Sequence, residues 1–254
     1  MRGRRPFVNF GDEVSPIMLG ELSGQRFRWA PLNSADVVGV GSLMQAVLRS
    51  GSSATIFGTG SRVRGAIASP KGQIVSVRGP LTADALHCPD VPLGDPALAI
   101  GALTPRSGRV TGPVIVPHFR VFGTREGIAE LRRLRSAGFE VVLPNWAPLR
   151  VAKAVSQAQY VLTSSLHGLI FAHGLGCRVR LMSFDGVPPE PDFKYEDHLA
   201  LFDLHLNFLD SRRVVRADRL PRGVGERMEV EQQMVAGLLP ARLDGLYASG
   251  ALLS

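Results

Sequence analysis

Two hydroxyls, an imidazole and a glycine fall together in Ser164-Ser165-Leu166-His167-Gly168. Where such a run follows a strand and opens a helix, free backbone N–H groups converge with the hydroxyls on one spot that suits a small anion. The helix dipole disfavours imidazolium, so His167 is neutral in an empty site. A bound phosphate or carboxylate reverses that preference and lets His167 transfer a proton. His118, in Val116-Pro117-His118-Phe119-Arg120, follows another strand end and is a second candidate, whereas His173 reads as structural. Arg78 precedes Gly79 and Pro80, and Pro80 is placed to start a helix. A full charge beside that helix start suits a carboxylate or phosphate ligand. Asn9-Phe10-Gly11-Asp12 stands just ahead of a helical or loop segment near Pro16. Gly39 to Ser42 and Gly58-Thr59-Gly60-Ser61 are glycine-rich turns, and neither has the spacing of a dinucleotide fingerprint. Asp95, in Gly94-Asp95-Pro96, reads as a turn-former.

These residues need a scaffold that gathers strand ends, and the chain has one. From 113 to 183 strands alternate with helices. Pro113 to Pro117 reads as a buried strand, and Thr124 caps a helix that stops at Gly138. Phe139 to Leu143 is the next strand, Pro148 opens a helix to about Gln157, and Tyr160 to Thr163 is a third strand. Ser164 and Ser165 cap a helix to Leu175, followed by a strand from Cys177 to Met182. Earlier, Asp36 to Ser42, Ala54 to Phe57 and Gln73 to Val77 repeat the scheme with more glycine. Alternation with short links predicts parallel sheets with helices on both faces. The fold class is α/β with two Rossmann-like units, 1–110 and 111–215, and a helical tail over 216–254 whose helix spans about Glu226 to Leu239. The boundary is the Gly/Pro/Ser-rich stretch from Ala102 to Gly112.

The 254 residues are 45% hydrophobic and 20% charged, which excludes a disordered or low-complexity chain. No apolar run approaches the roughly 20 residues of a membrane helix. The basic start, Met1 to Pro6, lacks the apolar core of a secretory signal. Cys88 and Cys177 lack zinc spacing and read as reduced thiols of a cytoplasmic protein. The net charge is +7, and 26 of the 29 basic residues are arginine, which grips carboxylate and phosphate bidentately. Anionic small molecules or lipid phosphates are therefore expected as partners. Nucleic acid is not, because the arginines are scattered and no nucleic-acid-binding signature accompanies them. Arg132, Arg133 and Arg135 read as a solvated helix face.

The order of the segments carries more than any one of them. Asn9-Phe10-Gly11-Asp12, Phe57 to Ser61, Val77-Arg78-Gly79-Pro80-Leu81-Thr82, Gly94 to Leu98, Pro117-His118, Ser164 to Gly168 and Phe193-Lys194-Tyr195-Glu196-Asp197 together resemble the polysaccharide pyruvyl transferase family. The resemblance covers about residues 7 to 200, and the Lys194 segment is closest to the exopolysaccharide-type branch. It implies transfer of pyruvate from phosphoenolpyruvate to a sugar as a ketal, without metal or cofactor. The implied architecture is GT-B-like, with the active site in the inter-domain cleft. The acceptor would be a cell-surface saccharide or its lipid-linked precursor, met in the cytoplasm or at the inner face of the membrane.

Carried onto this sequence, the resemblance makes His167 the favoured acid or base. Asp12 would orient the acceptor or act as a base, and His118 would be a further catalytic residue. Arg78, Asn9, Gly11, Gly60, Ser164, Ser165, Gly168 and Lys194 would bind substrate. Some relatives place an arginine where this chain has Ser165, so Arg120 or Lys194 would have to substitute. Only Met1 to Val8 precede the first motif, and they make a poor strand. Two alternatives follow. One is a sugar-nucleotide glycosyltransferase of the same fold, with Glu190 or Asp192 on the ribose. The other is a truncated, non-catalytic homologue that binds glycan or phosphate.

Overall fold

Two parallel sheets organise the chain in a computed structural model that describes residues 9–105, 108 and 110–253. The reading of residues 1–8 as a poor strand lies outside them, as do residues 106, 107 and 109 of the expected boundary. After α1 (Phe10–Glu13) and α2 (Ser15–Ser23) come β1 (Val37–Val38), α3 (Met44–Ser50), β2 (Thr55–Phe57), β3 (Ile74–Ser76), α4 (Pro80–Ala85) and α5 (Ile100–Leu103). The first sheet runs β1-β2-β3. The second half follows as β4 (Val114–Val116), α6 (Arg125–Ser136), β5 (Glu140–Val141), α7 (Pro148–Ser156), β6 (Val161–Thr163), α8 (Leu166–Gly174), β7 (Val179–Ser183), α9 (Phe193–Leu199), β8 (Leu209–Asp210) and α10 (Val224–Gly250). Its sheet order is β5-β4-β6-β7-β8, every neighbour parallel.

Local chemistry explains the boundaries. Thr124 Oγ1 accepts from Gly127 N at 3.0 Å and starts α6. Pro148 occupies the first position of α7, where its missing N–H costs nothing. Ser165 caps α8, its Oγ accepting from Gly168 N at 3.4 Å.

Strand alternation divides the second sheet's side chains between two cores. Ile115, Leu162 and Met182 pack against Leu131 and Leu134 of α6. Val114, Val116, Val161 and Leu181 face the other way, into a core that also holds Phe10, Met18, Leu22, Phe57 and Val75 from the first half. The two sheets thus share one apolar interior. α10 lies across it, burying Met228 on the outer side of the second sheet and Val235 and Leu246 in the shared interior.

The expected end of this helix at Leu239 is corrected. α10 continues through Pro240 to Gly250. Proline removes one hydrogen bond and kinks a helix, but Leu246 and the close approach of Gly250 to Leu22 hold the last turns against α2. The edge strand β8 was also not expected. No described helix is long and apolar enough to cross a membrane.

Candidate functional site

The C-terminal ends of β4, β6 and β7 point to one edge of the second sheet, and the loops and helices leaving them build the site. Thr163 ends β6, and its hydroxyl donates to Val116 O at 2.7 Å, fixing the two strand ends together. Ser164 follows. Its Oγ accepts from His118 N at 2.9 Å, and its carbonyl accepts from the Tyr195 hydroxyl at 2.8 Å. One residue therefore joins the ends of β4 and β6 to α9. Gly168, one turn into α8, donates to Ser165 and packs on Thr163 and Val116.

His167 is buried, and its Nε2 has no hydrogen-bond partner among the described residues. Burial lowers its pKa to about 3, with the charges of Lys194 and Arg78 and the neighbouring His118 acting in the same direction. It is a neutral imidazole at pH 7. Asn9 caps α1 by accepting from Gly11 N at 3.2 Å, which brings Gly11 against the imidazole. A β-carbon at Gly11 would collide with His167 Nδ1. Glycine there is a requirement of close approach. Asp12, next in α1, is exposed. The structure thus brings Asn9, Gly11 and His167 together across 158 positions of sequence.

Glu190 forms a second focus. Lys194 Nζ donates to its Oε2 at 2.6 Å, Arg62 reaches the same oxygen at 3.0 Å, and Arg120 Nε stands 2.7 Å from Oε1. The Arg120 contact lacks hydrogen-bond alignment, so Oε1 has charge beside it but no aligned donor. Three full positive charges face one carboxylate whose side chain is 6% exposed. Burial alone would raise Glu190, but the Lys194 bond and charge, with His118 and Arg120, hold it down at about 2. Lys194 is lowered to about 8 by burial and by Arg62 and Arg78, despite the opposing pull of Glu190. His118, 4.0 Å from Glu190 and pressed on Phe119, falls to about 4 through burial and the nearby cations.

A cavity of about 180 Å³ opens beside this focus, walled by His118, Arg120, Ser164, Glu190, Tyr195 and Phe208 among others. His167 is not on its wall. Arg120 and Lys194, the cations expected to substitute at the Ser165 position, both stand on Glu190. No sequence motif singled out Arg62; the fold alone brings it to Glu190, 128 positions away.

Arg78, expected to bind substrate, is engaged within the protein. Its side chain is 0% exposed, and its donors are used within the protein. Nε donates to Asp197 Oδ2 at 3.0 Å, one terminal nitrogen donates to Ser61 O at 2.7 Å, and the other donates to Ser42 Oγ. The helix start behind it obtains its anion from α9. Asp197 accepts from Thr82 N at 2.8 Å and from Thr82 Oγ1 at 2.6 Å. Gly60 lies against this pair, and a β-carbon there would strike the Arg78 guanidinium.

Asp95 does more than turn the chain. It accepts from Gly41 N at 3.3 Å and Ala97 N at 2.9 Å, and burial pushes it up to about 6. His173 is structural in its surroundings, its Nδ1 3.0 Å from His198 Nε2 in the core. The described residues contain no group of three or more His, Cys, Asp or Glu side chains placed to hold a metal ion.

Comparison with known proteins bears on this geometry. An uncharacterized protein of Acanthamoeba polyphaga mimivirus is 42% identical over 55 residues, 21% of this chain and 19% of that protein. The chain thus matches about a fifth of that relative's length. No solved structure matches the chain. The model of the polysaccharide pyruvyl transferase family matches residues 5–186, a span that runs from the Asn9 segment through Arg78 and His118 to the His167 helix. The chain belongs to the polysaccharide pyruvyl transferase family.

Proposed function

We propose that this protein moves pyruvate from phosphoenolpyruvate onto two hydroxyls of a cell-surface saccharide or its lipid-linked precursor, forming a ketal. The observation that carries this reading is the excess of cations around Glu190. Arg62, Arg120 and Lys194 share one carboxylate at the wall of a cavity, which leaves charge to receive a phosphate and a carboxylate together. The site would lie at the C-terminal edge of the second sheet, where Arg62 of the first half reaches Glu190, a position that the GT-B-like arrangement of two units would also favour. The enzyme would work without metal or cofactor, in the cytoplasm or at the inner membrane face.

The chemistry is an addition followed by a displacement. The methylene carbon of phosphoenolpyruvate takes up the proton that His167 removes from the first sugar hydroxyl, and the central carbon becomes electrophilic as it does so. That hydroxyl bonds to the central carbon, its proton passing through His167 to the methylene carbon. The carbon–phosphate oxygen bond then breaks, releasing inorganic phosphate. The second hydroxyl closes the ketal, and its proton leaves with the phosphate. Lys194, Arg120 and Arg62 hold the anion, and the Ser164 and Ser165 hydroxyls adjoin it. His167, neutral and with Nε2 unpaired, is the base for the first hydroxyl, and Asp12 orients the acceptor. His118 stands on the cavity wall beside them.

Two pKa values give the pH dependence. His167 must be neutral, and its pKa of about 3 keeps it so across the working range. Lys194 must be charged, and it loses its proton as pH rises through about 8. The kcat/KM for phosphoenolpyruvate is therefore flat from about pH 5 to 7 and falls above about 8. Lys194→Arg, which keeps its charge, moves the alkaline fall upward. A profile falling between pH 5 and 7 would show that a protonated histidine is required instead.

The function itself is tested by incubating the protein with phosphoenolpyruvate and a cell-derived pool of lipid-linked oligosaccharides, then analysing product mass. A pyruvyl ketal on the saccharide is expected. Consumption of a sugar nucleotide with no use of phosphoenolpyruvate would overturn the reading.

A further inference from the structure

A second cavity, of about 260 Å³, lies beside the first, and Phe208 lines both. Its wall includes Arg180, Arg213, Arg222 and Arg227, with Asn207 and Gly223. Arg180 rises from β7 and is bound to Glu231 at 2.9 Å. Arg213, Arg222 and Arg227 have no ion-pair or hydrogen-bonding side-chain partner among the described residues. That sets them apart from neighbouring surface arginines. Arg178 is held by Glu229 at 2.8 Å, Arg212 by Asp210 at 2.6 Å and Arg216 by Asp218 at 2.6 Å. Those three guanidiniums each have a carboxylate partner, whereas at this cavity only Arg180 does. Gly223 begins α10 in the left-handed conformation, and no side chain caps the helix, so its positive end faces the same region.

Four guanidiniums around a concave space, one of them neutralised, repel one another unless an anion enters. A single water needs only about 10–15 Å³, and the space here is far larger. Several arginines presenting planar forks match the many oxygens of a diphosphate better than a single carboxylate. We propose that this cavity is an anion site that takes the diphosphate group of a ligand. It is separate from the Glu190 focus and adjoins it through Phe208, whose ring meets Tyr195 edge-on at 5.6 Å. The proposal goes beyond pyruvyl transfer and does not depend on it.

Calorimetric titration with inorganic pyrophosphate at low ionic strength, where surface attraction is least screened, tests it. The unaltered protein should bind pyrophosphate more tightly than inorganic phosphate. Arg222→Ala/Arg227→Ala, a change to two exposed side chains, should weaken pyrophosphate binding by at least about tenfold. Arg222→Lys/Arg227→Lys should recover part of that loss, which a fold defect would not allow. Arg216→Ala, an exposed arginine paired with Asp218 and on the wall of neither cavity, should leave pyrophosphate binding within about threefold, less than the tenfold that separates 1.4 kcal/mol. Arg120→Ala is measured beside it to locate any signal from the other cavity. Absence of binding by the unaltered protein would overturn the proposal. So would equal affinity in the double alanine variant, or a loss confined to Arg120→Ala. A soluble nucleoside diphosphate and phosphatidylcholine vesicles carrying a prenyl diphosphate then distinguish a free ligand from a membrane-borne one. Failure of pyruvyl transfer in the product assay leaves all of these outcomes readable.

Discussion

His167→Asn is expected to bind phosphoenolpyruvate within a few-fold of the unaltered protein while losing about 10²–10⁴ in turnover, the usual range for removal of a general acid or base. Asparagine keeps polarity and approximate size but cannot move a proton at neutral pH. The expectation rests on an unpaired Nε2 in a buried ring. Buried polar atoms without partners are uncommon, and a proton-transfer role is one reason a protein retains one. The ring is also held tightly, between Gly11 on α1 and the edge of Phe10, whose centroid is 6.5 Å away. Comparison of single-turnover rates with phosphoenolpyruvate affinity separates the two effects. If His167→Asn turns over at nearly the unaltered rate, His118 on the cavity wall becomes the base, and His118→Asn should then show the loss. His173→Asn, which disturbs a buried pair, should reduce stability and leave the chemical step alone.

Arg78→Ala is expected to destabilise the fold by about 3–5 kcal/mol, because it leaves the Asp197 charge buried without its counter-ion. Asp197 keeps its two bonds from Thr82, which places the loss toward the lower end of that range. The effect reaches beyond one contact. Arg78 follows β3 of the first sheet and Asp197 lies on α9 beyond the second, so the pair joins segments 119 positions apart. Urea unfolding should show a lower midpoint with an unchanged slope. The folded fraction should bind phosphoenolpyruvate within a few-fold of the unaltered protein. A large loss of affinity with the midpoint unmoved would return Arg78 to the ligand.

Much of the second half was legible because its signals are local. Thr124, Pro148 and Ser165 each mark a helix start by chemistry confined to one turn, and the flanking apolar runs fix the strands. The site was legible in part. Ser164, His118 and Lys194 do converge at one sheet edge, as strand-end positions in a parallel sheet must. The use made of charge was not legible. Arg78 at a helix start looked available because nothing nearby in sequence neutralises it, and its partner arrives from α9. Glu190 has Lys194 four residues on, but Arg62 and Arg120 come from distant segments that no spacing rule connects. The extension of α10 past Pro240 has the same origin. Packing of Leu246 and Gly250 against the first half outweighs a break that local propensity favours.

The shared interior has a consequence for motion. Two lobes with separate cores can swing apart about a linker at little cost in apolar exposure. Here Phe57 and Val75 of the first sheet, Val116 and Val161 of the second, and Leu246 of α10 belong to one packed body. Hinging the halves apart would wet that surface at about 25 cal/mol for every Å² exposed. Wide breathing between the sheets is therefore disfavoured. Entry and exit at the Glu190 cavity fall instead to its rim, where Phe184, Val187, Pro188 and Pro189 lead from β7 toward α9. A change in access to this cavity therefore needs only a short peptide segment to move, and leaves the shared core intact.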